Sequence, residues 1–226
     1  MFAQLPMAIR AGFKALSNPS REDMVAALGE LTGQFAVQSM RRRMVLDATG
    51  RRILRDRPLI NTSTVSLDKL RSLPKNTLGR AYVNFLDNEC VSPDTRTPVN
   101  HMPEADEELK YVMLRYRQVH DFFHVLTGLG TKLEEEIAVK WFELAQTGLP
   151  VALLSGVLGP LRLNSQDRKL LFSEHVPWLV QCGANSKFLM NLYYEEIFEE
   201  NINDVRKNCG VFLPHGFIPQ DALIKD

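Results

Sequence analysis

Glu107-Glu108-Leu109-Lys110-Tyr111-Val112-Met113-Leu114-Arg115-Tyr116-Arg117-Gln118-Val119-His120-Asp121-Phe122-Phe123-His124-Val125-Leu126-Thr127 places apolar residues at helical spacing, with Leu109, Val112, Met113, Tyr116 and Phe123 as its stripe, and predicts one long helix. The end of that helix carries chemistry. His120 and His124 are four apart and lie one above the other, so both imidazoles can face one ion, with Asp121 at the edge of the same face. Gly128 and Gly130 then interrupt the pattern, which predicts a turn, and Glu136 follows His124 after eleven residues on the next helix. The spacing therefore predicts a metal site of His120, Asp121, His124 and Glu136 shared by two consecutive helices. Two imidazoles and two carboxylates suit Zn²⁺, while the oxygen-rich half also accepts Fe²⁺ or Mn²⁺. The competing reading is a hydrogen-bonded surface turn followed by a solvated helix start at Glu134-Glu135-Glu136.

Outward from this stretch, nearly every segment reads as helix. Thr131 with Glu134 forms a capping-box pattern for a helix from Lys132 to Gln146, carrying Glu136 in its first turn, where the helix dipole favours a carboxylate. No charged residue occurs between Glu143 and Arg162, yet Gly and Pro break the apolar run from Leu149 to Leu161 well short of the about 20 residues of a membrane crossing. A buried helix, a membrane-dipping segment or the wall of a lipid tunnel remain open for it. Toward the N-terminus, helices are predicted at Phe35 to Val45, Leu67 to Leu73 and Leu78 to Leu86, with a turn at Ala48-Thr49-Gly50 and a loop at Pro93 to Pro98. Ser20, with Asp23 three residues later, caps another helix through Leu31. Residues 1–17 combine Leu5, Ile9, Phe13 and Leu16 with Arg10 and Lys14. That pattern fits a membrane-contact helix, a first packed helix or the remainder of a transit segment. The last third predicts helices at Gln166 to Glu174, Pro177 to Gln181 and Lys187 to Asn203, then a Pro/Gly-rich tail over 214–226. Alternation of strand type is nearly absent, so the expectation is a single all-α domain over 1–226.

Composition narrows the function classes. The 226 residues suffice for a sizeable core, so stability need not depend on a metal. Basic and acidic residues number 27 each, with no aromatic-basic alternation or zinc-finger spacing, which argues against a nucleic-acid partner. Cys90, Cys182 and Cys209 are odd in number and far apart, which fits a reducing compartment better than a disulfide framework. Charge is uneven: Arg41-Arg42-Arg43, Arg51-Arg52, Arg55 and Arg57 load the first third, either for anionic lipid or as a solvated face. No Gly-x-Ser-x-Gly elbow or phosphate-cradling loop is present. Of the scattered His101, His175 and His215, His175 after Glu174 is the candidate for an outer contact to the site.

His-Asp-x-x-His, eleven residues and Glu are the mark of the family of the fourth coenzyme Q (ubiquinone) biosynthesis protein, which this chain resembles over nearly its whole length. Tyr116-Arg117, the run Glu136 to Glu143 continuing to Gln146-Thr147-Gly148-Leu149-Pro150, Gly159-Pro160-Leu161-Arg162-Leu163 and Val91-Ser92-Pro93-Asp94-Thr95-Arg96 extend the likeness. The resemblance implies zinc on His120, Asp121, His124 and Glu136, and a peripheral place on the matrix side of the mitochondrial inner membrane. It also implies other coenzyme Q biosynthesis enzymes as partners in a multisubunit complex, with a homo-oligomer left open. The implied activity is C1 decarboxylation of a polyprenyl benzoate substrate, as in a 4-hydroxy-3-methoxy-5-polyprenylbenzoate decarboxylase type lyase, oxidative or not. Tyr116, Arg117 and Glu143, at helical offsets from the ligands, are the candidate proton donors. Leu149, Val151, Leu153, Leu154, Val157 and Leu158 are the candidate lining for the polyprenyl tail. The family's mitochondrial members carry a presequence, and none is clear here. Two rivals are a zinc-containing, non-catalytic lipid-binding scaffold and a His-Asp phosphohydrolase, which wants an additional upstream His and a downstream Asp.

Overall fold

A computed structural model of the chain describes Glu30, residues 32–95, Val99 and residues 106–223; the expected helices over 1–17 and 20–31, and His101, fall largely or wholly outside these residues. The elements are α1 (Gln34–Leu46), α2 (Ala48–Asp56), α3 (Leu67–Ser72), α4 (Leu78–Glu89), α5 (Glu107–Thr127), α6 (Leu133–Thr147), α7 (Pro150–Leu158), α8 (Ser165–Leu170), α9 (Val176–Asn185), α10 (Tyr194–Ile197) and α11 (Ile202–Cys209). Among the described residues there is no β-strand, and the chain is a single all-α domain.

Helix α5 is the axis of the fold and has the bounds its sequence predicts. Asp106 caps its start by accepting from the Leu109 N–H at 3.0 Å, and Glu107 and Glu108 meet the positive end of the dipole. It stops at Gly128, whose φ of 73° few other residues adopt, with the Gly128 N–H closing on the His124 carbonyl. Phe122 anchors the helix on the side away from the histidines. Its ring lies between Tyr82 of α4 (centroids 4.4 Å apart) and Tyr194 of α10 (4.1 Å), an aromatic stack at the centre of the core. On another face Phe123 meets Phe142 of α6 edge-on at 5.5 Å. Helix α9 packs along α6, and the buried Gln146 joins them by donating to the Gly183 carbonyl at 2.7 Å. Thus α5 is clamped on two sides while its histidine face looks onto α6.

Several expectations change. Ala48-Thr49-Gly50 opens α2 instead of forming a turn, because Asp47 accepts from the Gly50 N–H and caps it. Thr131 does not cap α6, whose N-cap is Lys132; its hydroxyl donates to Glu89 instead. The helix expected from Gln166 is α8 followed by a wide π turn at Leu171–His175 that leads into α9. The helix expected over Lys187 to Asn203 is broken into a 3₁₀ turn at Leu189–Asn191, α10 and the start of α11. Three of the seven arginines from Arg41 to Arg57 pair with carboxylates: Arg41 with Glu108, Arg52 with Glu196, Arg55 with Asp56.

Candidate metal centre

Helices α5 and α6 and the turn between them bring three of the four expected ligands together. The ligand atoms of His120, His124 and Glu136 lie within 4.8 Å of one another. The imidazoles sit one turn apart on α5, with centroids separated by 4.9 Å, and Glu136 reaches them from the first turn of α6. Asp121 stands elsewhere. Consecutive helical residues do not share a face, so its carboxylate faces the other side of the His120 ring, 4.0 Å from Nδ1, while Nε2 faces Glu136 at 3.8 Å. A carboxylate on the remote nitrogen orients a ring whose near nitrogen binds a cation.

His124 shows that the arrangement suits a cation. Its Nδ1 lies 3.0 Å from the Gly130 carbonyl, which can only accept, so Nδ1 carries the hydrogen. The buried Nε2 then presents a lone pair to Glu136 Oε2 at 3.1 Å and has no hydrogen-bond donor. Two acceptors that close repel unless a cation or a second proton lies between them. Phe85 stacks on the same ring at 5.2 Å and holds its plane.

Lys140 is the residue that the sequence reading missed. Its ammonium lies 2.8 Å from His120 Nε2, 2.9 Å from Glu143 Oε2 and 3.2 Å from Glu136 Oε1. The signal was present, since Glu136, Lys140 and Glu143 occupy one face of α6 at offsets of four and three. Burial opposes its charge, but Glu143 and Glu136 outweigh that and hold the ammonium above its ordinary range. Burial likewise pushes Glu136 up, yet the Lys140 ammonium beside it outweighs that and holds its carboxyl well below the usual value. Burial and Lys140 press His120 down, and the carboxylates of Asp121 and Glu143, which favour the protonated ring, bring it out raised. Around two imidazoles, two carboxylates share one ammonium. One flank stays open to solvent, where 34% of the Glu136 side chain is exposed.

The remaining candidates divide. Tyr116 and Glu143 join the cluster: the Tyr116 hydroxyl donates to Glu143 Oε1 at 2.5 Å, and Glu143 is fully buried. Burial, with Glu143 beside it, pushes the Tyr116 phenol well above its ordinary value. Arg117 pairs with the buried carboxylate of Glu30. Leu149 and Val151 are buried and Leu158 half-buried, whereas Leu153, Leu154 and Val157 are exposed, so the apolar segment has an inner and an outer face. His175 lies on the π turn against Trp178, outside the ligand group.

Known proteins align with this chain over most of its length. The family profile described as Coenzyme Q (ubiquinone) biosynthesis protein Coq4 matches residues 1–215. The human ubiquinone biosynthesis protein COQ4 homolog, mitochondrial, is 48% identical over 200 residues, covering 88% of this chain and 75% of that protein. The Coprinopsis cinerea ubiquinone biosynthesis protein COQ4, mitochondrial, is 46% identical over 202 residues, 89% of this chain and 69% of that protein. A crystal structure of a Nostoc punctiforme protein assigned to ubiquinone biosynthesis shares the fold with a TM-score of 0.71 at 20% identity, over 90% of this chain and 96% of the other.

Proposed function

The chain belongs to the coenzyme Q (ubiquinone) biosynthesis protein Coq4 family, and from that premise we propose that it removes the C1 carboxylate of a polyprenylated 4-hydroxybenzoate at a divalent metal on His120, His124 and Glu136. The observation that carries this reading is the donorless His124 Nε2 facing Glu136 Oε2 at 3.1 Å. Three protein ligands, with Asp121 orienting His120, leave coordination positions for substrate, as catalytic sites do and closed structural sites do not. Zinc is the first choice. A divalent ion there would supply Lewis-acid stabilisation of the charge that builds as the carbon–carbon bond breaks.

The protein side of the reaction lies with Lys140, Glu143 and Tyr116. Loss of CO₂ leaves the bonding electron pair on C1, which must gain a proton. Lys140 first pairs with the substrate carboxylate, then its ammonium gives that proton to C1 and is reprotonated from the open flank beside Glu136. Its flexible stem lets the ammonium leave His120 when that nitrogen is needed as a ligand. Glu143, fixed by the Tyr116 hydroxyl, keeps Lys140 charged and in place. Two imidazoles and one carboxylate are also the ligand set of non-haem Fe(II) oxygenases, which keeps the oxidative form of the reaction as the second reading; it consumes dioxygen and reductant and leaves a hydroxyl at C1.

The outer face of α7 suits a lipid substrate. Leu153, Leu154 and Val157, with Leu161 beyond them, are exposed beside Arg162, a surface that can rest in the headgroup region of a membrane and pass a polyprenyl tail toward Val151 and Leu149. Among the described residues no helix is long and apolar enough to cross a membrane. The same reading gives the chain a peripheral attachment on the matrix side of the mitochondrial inner membrane, beside the other enzymes of the pathway.

The test loads the full chain separately with Zn²⁺ and Fe²⁺ and supplies a short-tailed 4-hydroxybenzoate. Hydrogen at C1 supports simple decarboxylation, and hydroxyl at C1, formed only with iron and oxygen, supports the oxidative form. His120→Ala and Glu136→Ala should lose both metal and product. Lys140→Gln removes a competing cation, so it should bind metal at least about tenfold more tightly, a change worth ~1.4 kcal/mol, while losing product formation. Lipid binding with no turnover under either metal would leave the scaffold reading in possession.

A further inference from the structure

We propose that the C-terminal segment at residues 219–221, with Arg206 and Glu89, is a positioning element for His124: it fixes the turn whose Gly130 carbonyl holds that ring, and so sets the affinity of the cation site. This rests on reading His120, His124 and Glu136 as that site.

The sequence gives this segment no role beyond a Pro/Gly-rich tail, yet its polar atoms converge on the one stretch that orients His124. Between α5 and α6 the chain makes a short turn, and α6 starts without a side-chain cap, so the turn needs support from outside. The tail supplies it. The Gln220 N–H donates to the Gly128 carbonyl at 3.0 Å, and its side-chain amide donates to Glu89 Oε1 at 3.0 Å. Glu89, at the end of α4, also accepts from the Thr131 hydroxyl and thereby ties the far side of the turn to the same point.

The tail runs close against both glycines of the turn. A Cβ on Gly128 would lie 2.3 Å from the Cβ of Pro219, and one on Gly130 would lie 2.1 Å from Nε2 of Gln220. Gly130 has no positive φ, and the Gln220 amide there shares the space with the carboxylate oxygens of Glu135 and Glu89, each 2.9 Å from the same point.

Arg206 locks the segment to α5. Its guanidinium donates Nε to the Leu126 carbonyl at 2.9 Å and Nη2 to the Val125 carbonyl at 3.0 Å, satisfying acceptors that the end of a helix leaves open. The same guanidinium is buried and takes both carboxylate oxygens of Asp221. A bidentate pair of this kind fixes orientation as well as position. Anchoring by apolar packing, such as Phe217 on Trp178, would need none of these polar contacts around residues 124–131.

The experiment uses the full chain and its Gln220→Ala, Asp221→Ala and Asp221→Asn variants. Co²⁺ affinity is measured by chelator competition, and the ring ¹⁵N shifts of His124 are read in metal-free protein at mildly alkaline pH. Gln220→Ala and Asp221→Ala should weaken Co²⁺ binding by about 10–100-fold, the usual cost of disturbing a group that orients a ligand. They should also move His124 from the Nδ1–H tautomer toward a mixture, with helical content unchanged. Asp221→Asn keeps an acceptor for Arg206 and should recover part of the loss. If Asp221→Ala fails to fold, Gln220→Ala decides alone, because it leaves the Arg206–Asp221 pair intact. Wild-type affinity and tautomer in a folded Gln220→Ala would overturn the proposal. A wild type that binds no Co²⁺ would instead remove the metal reading, and the tautomer would still show whether the tail holds His124.

Discussion

Glu143 is fully buried and accepts from the Tyr116 hydroxyl and the Lys140 ammonium, with His120 Nε2 at 3.2 Å. Burial pushes its carboxyl up, but Lys140, His120 and Tyr116 together bring it down to about 2. A folded-state value below the ordinary 4.5 gives stability that is present above 4.5 and lost as pH falls toward 2. Metal-free Glu143→Gln should therefore be less stable than wild type at neutral pH by about 3–5 kcal/mol, the cost of breaking a buried pair. Urea titrations should show that deficit closing as pH falls from 4.5 to 2; a deficit constant across this range would mean that the carboxylate is not held ionised by these partners. The residue scale is also where the sequence was legible in parts. The i, i+4 rule identified His120 and His124, and helical offsets identified Tyr116 and Glu143. Lys140 was overlooked because a lysine among glutamates on a helix ordinarily marks a solvated face. Arg117 turns to Glu30, a partner 87 positions away that no local pattern reveals.

Among the elements, α5 was readable to its last residue because capping, periodicity and a C-terminal glycine all agree there. The stretch from Lys187 to Asn203 was not, because its backbone is used by another helix. The Glu200 carbonyl accepts from the Leu78 N–H and the Phe198 carbonyl from the Gly79 N–H, at 2.9 and 2.8 Å, satisfying the open donors at the start of α4. Tertiary hydrogen bonding thus overrides a helical pattern. The apolar run of α7 was recognised but its two faces were not, since near-uniform hydrophobicity carries no periodic signal. Its exposed side gives a prediction at this scale. Val157→Asp and Leu154→Asp should each weaken sedimentation with anionic vesicles several-fold, because each puts a negative charge into the contact, while Tm stays within about 2 °C, surface changes costing about 0.5 kcal/mol. Unchanged vesicle binding in both variants would move the membrane contact to another surface.

For the whole molecule, the question is whether the site holds the fold or the fold holds the site. The aromatic stack of Tyr82, Phe122 and Tyr194 lies on the side of α5 away from the histidines, and the buried apolar core extends from Val37 to Val211, far beyond the few residues around the ligands. An ion should therefore add stability by mass action alone, about 2.7 kcal/mol at a hundredfold excess over its Kd. In a domain of this size that is a Tm rise of about 5–11 °C. Chelation should remove that increment and leave a helical, cooperatively melting protein. Phe122→Ala should do the reverse, costing about 3–5 kcal/mol through the cavity it opens between two rings, with a drop of roughly 6–20 °C that excess metal only partly offsets. Scanning calorimetry of both proteins, with and without chelator, separates the two contributions. Collapse of the wild type to an unfolded baseline on chelation would show that the cation is a structural keystone, and the open coordination positions assigned to substrate would then need a different explanation.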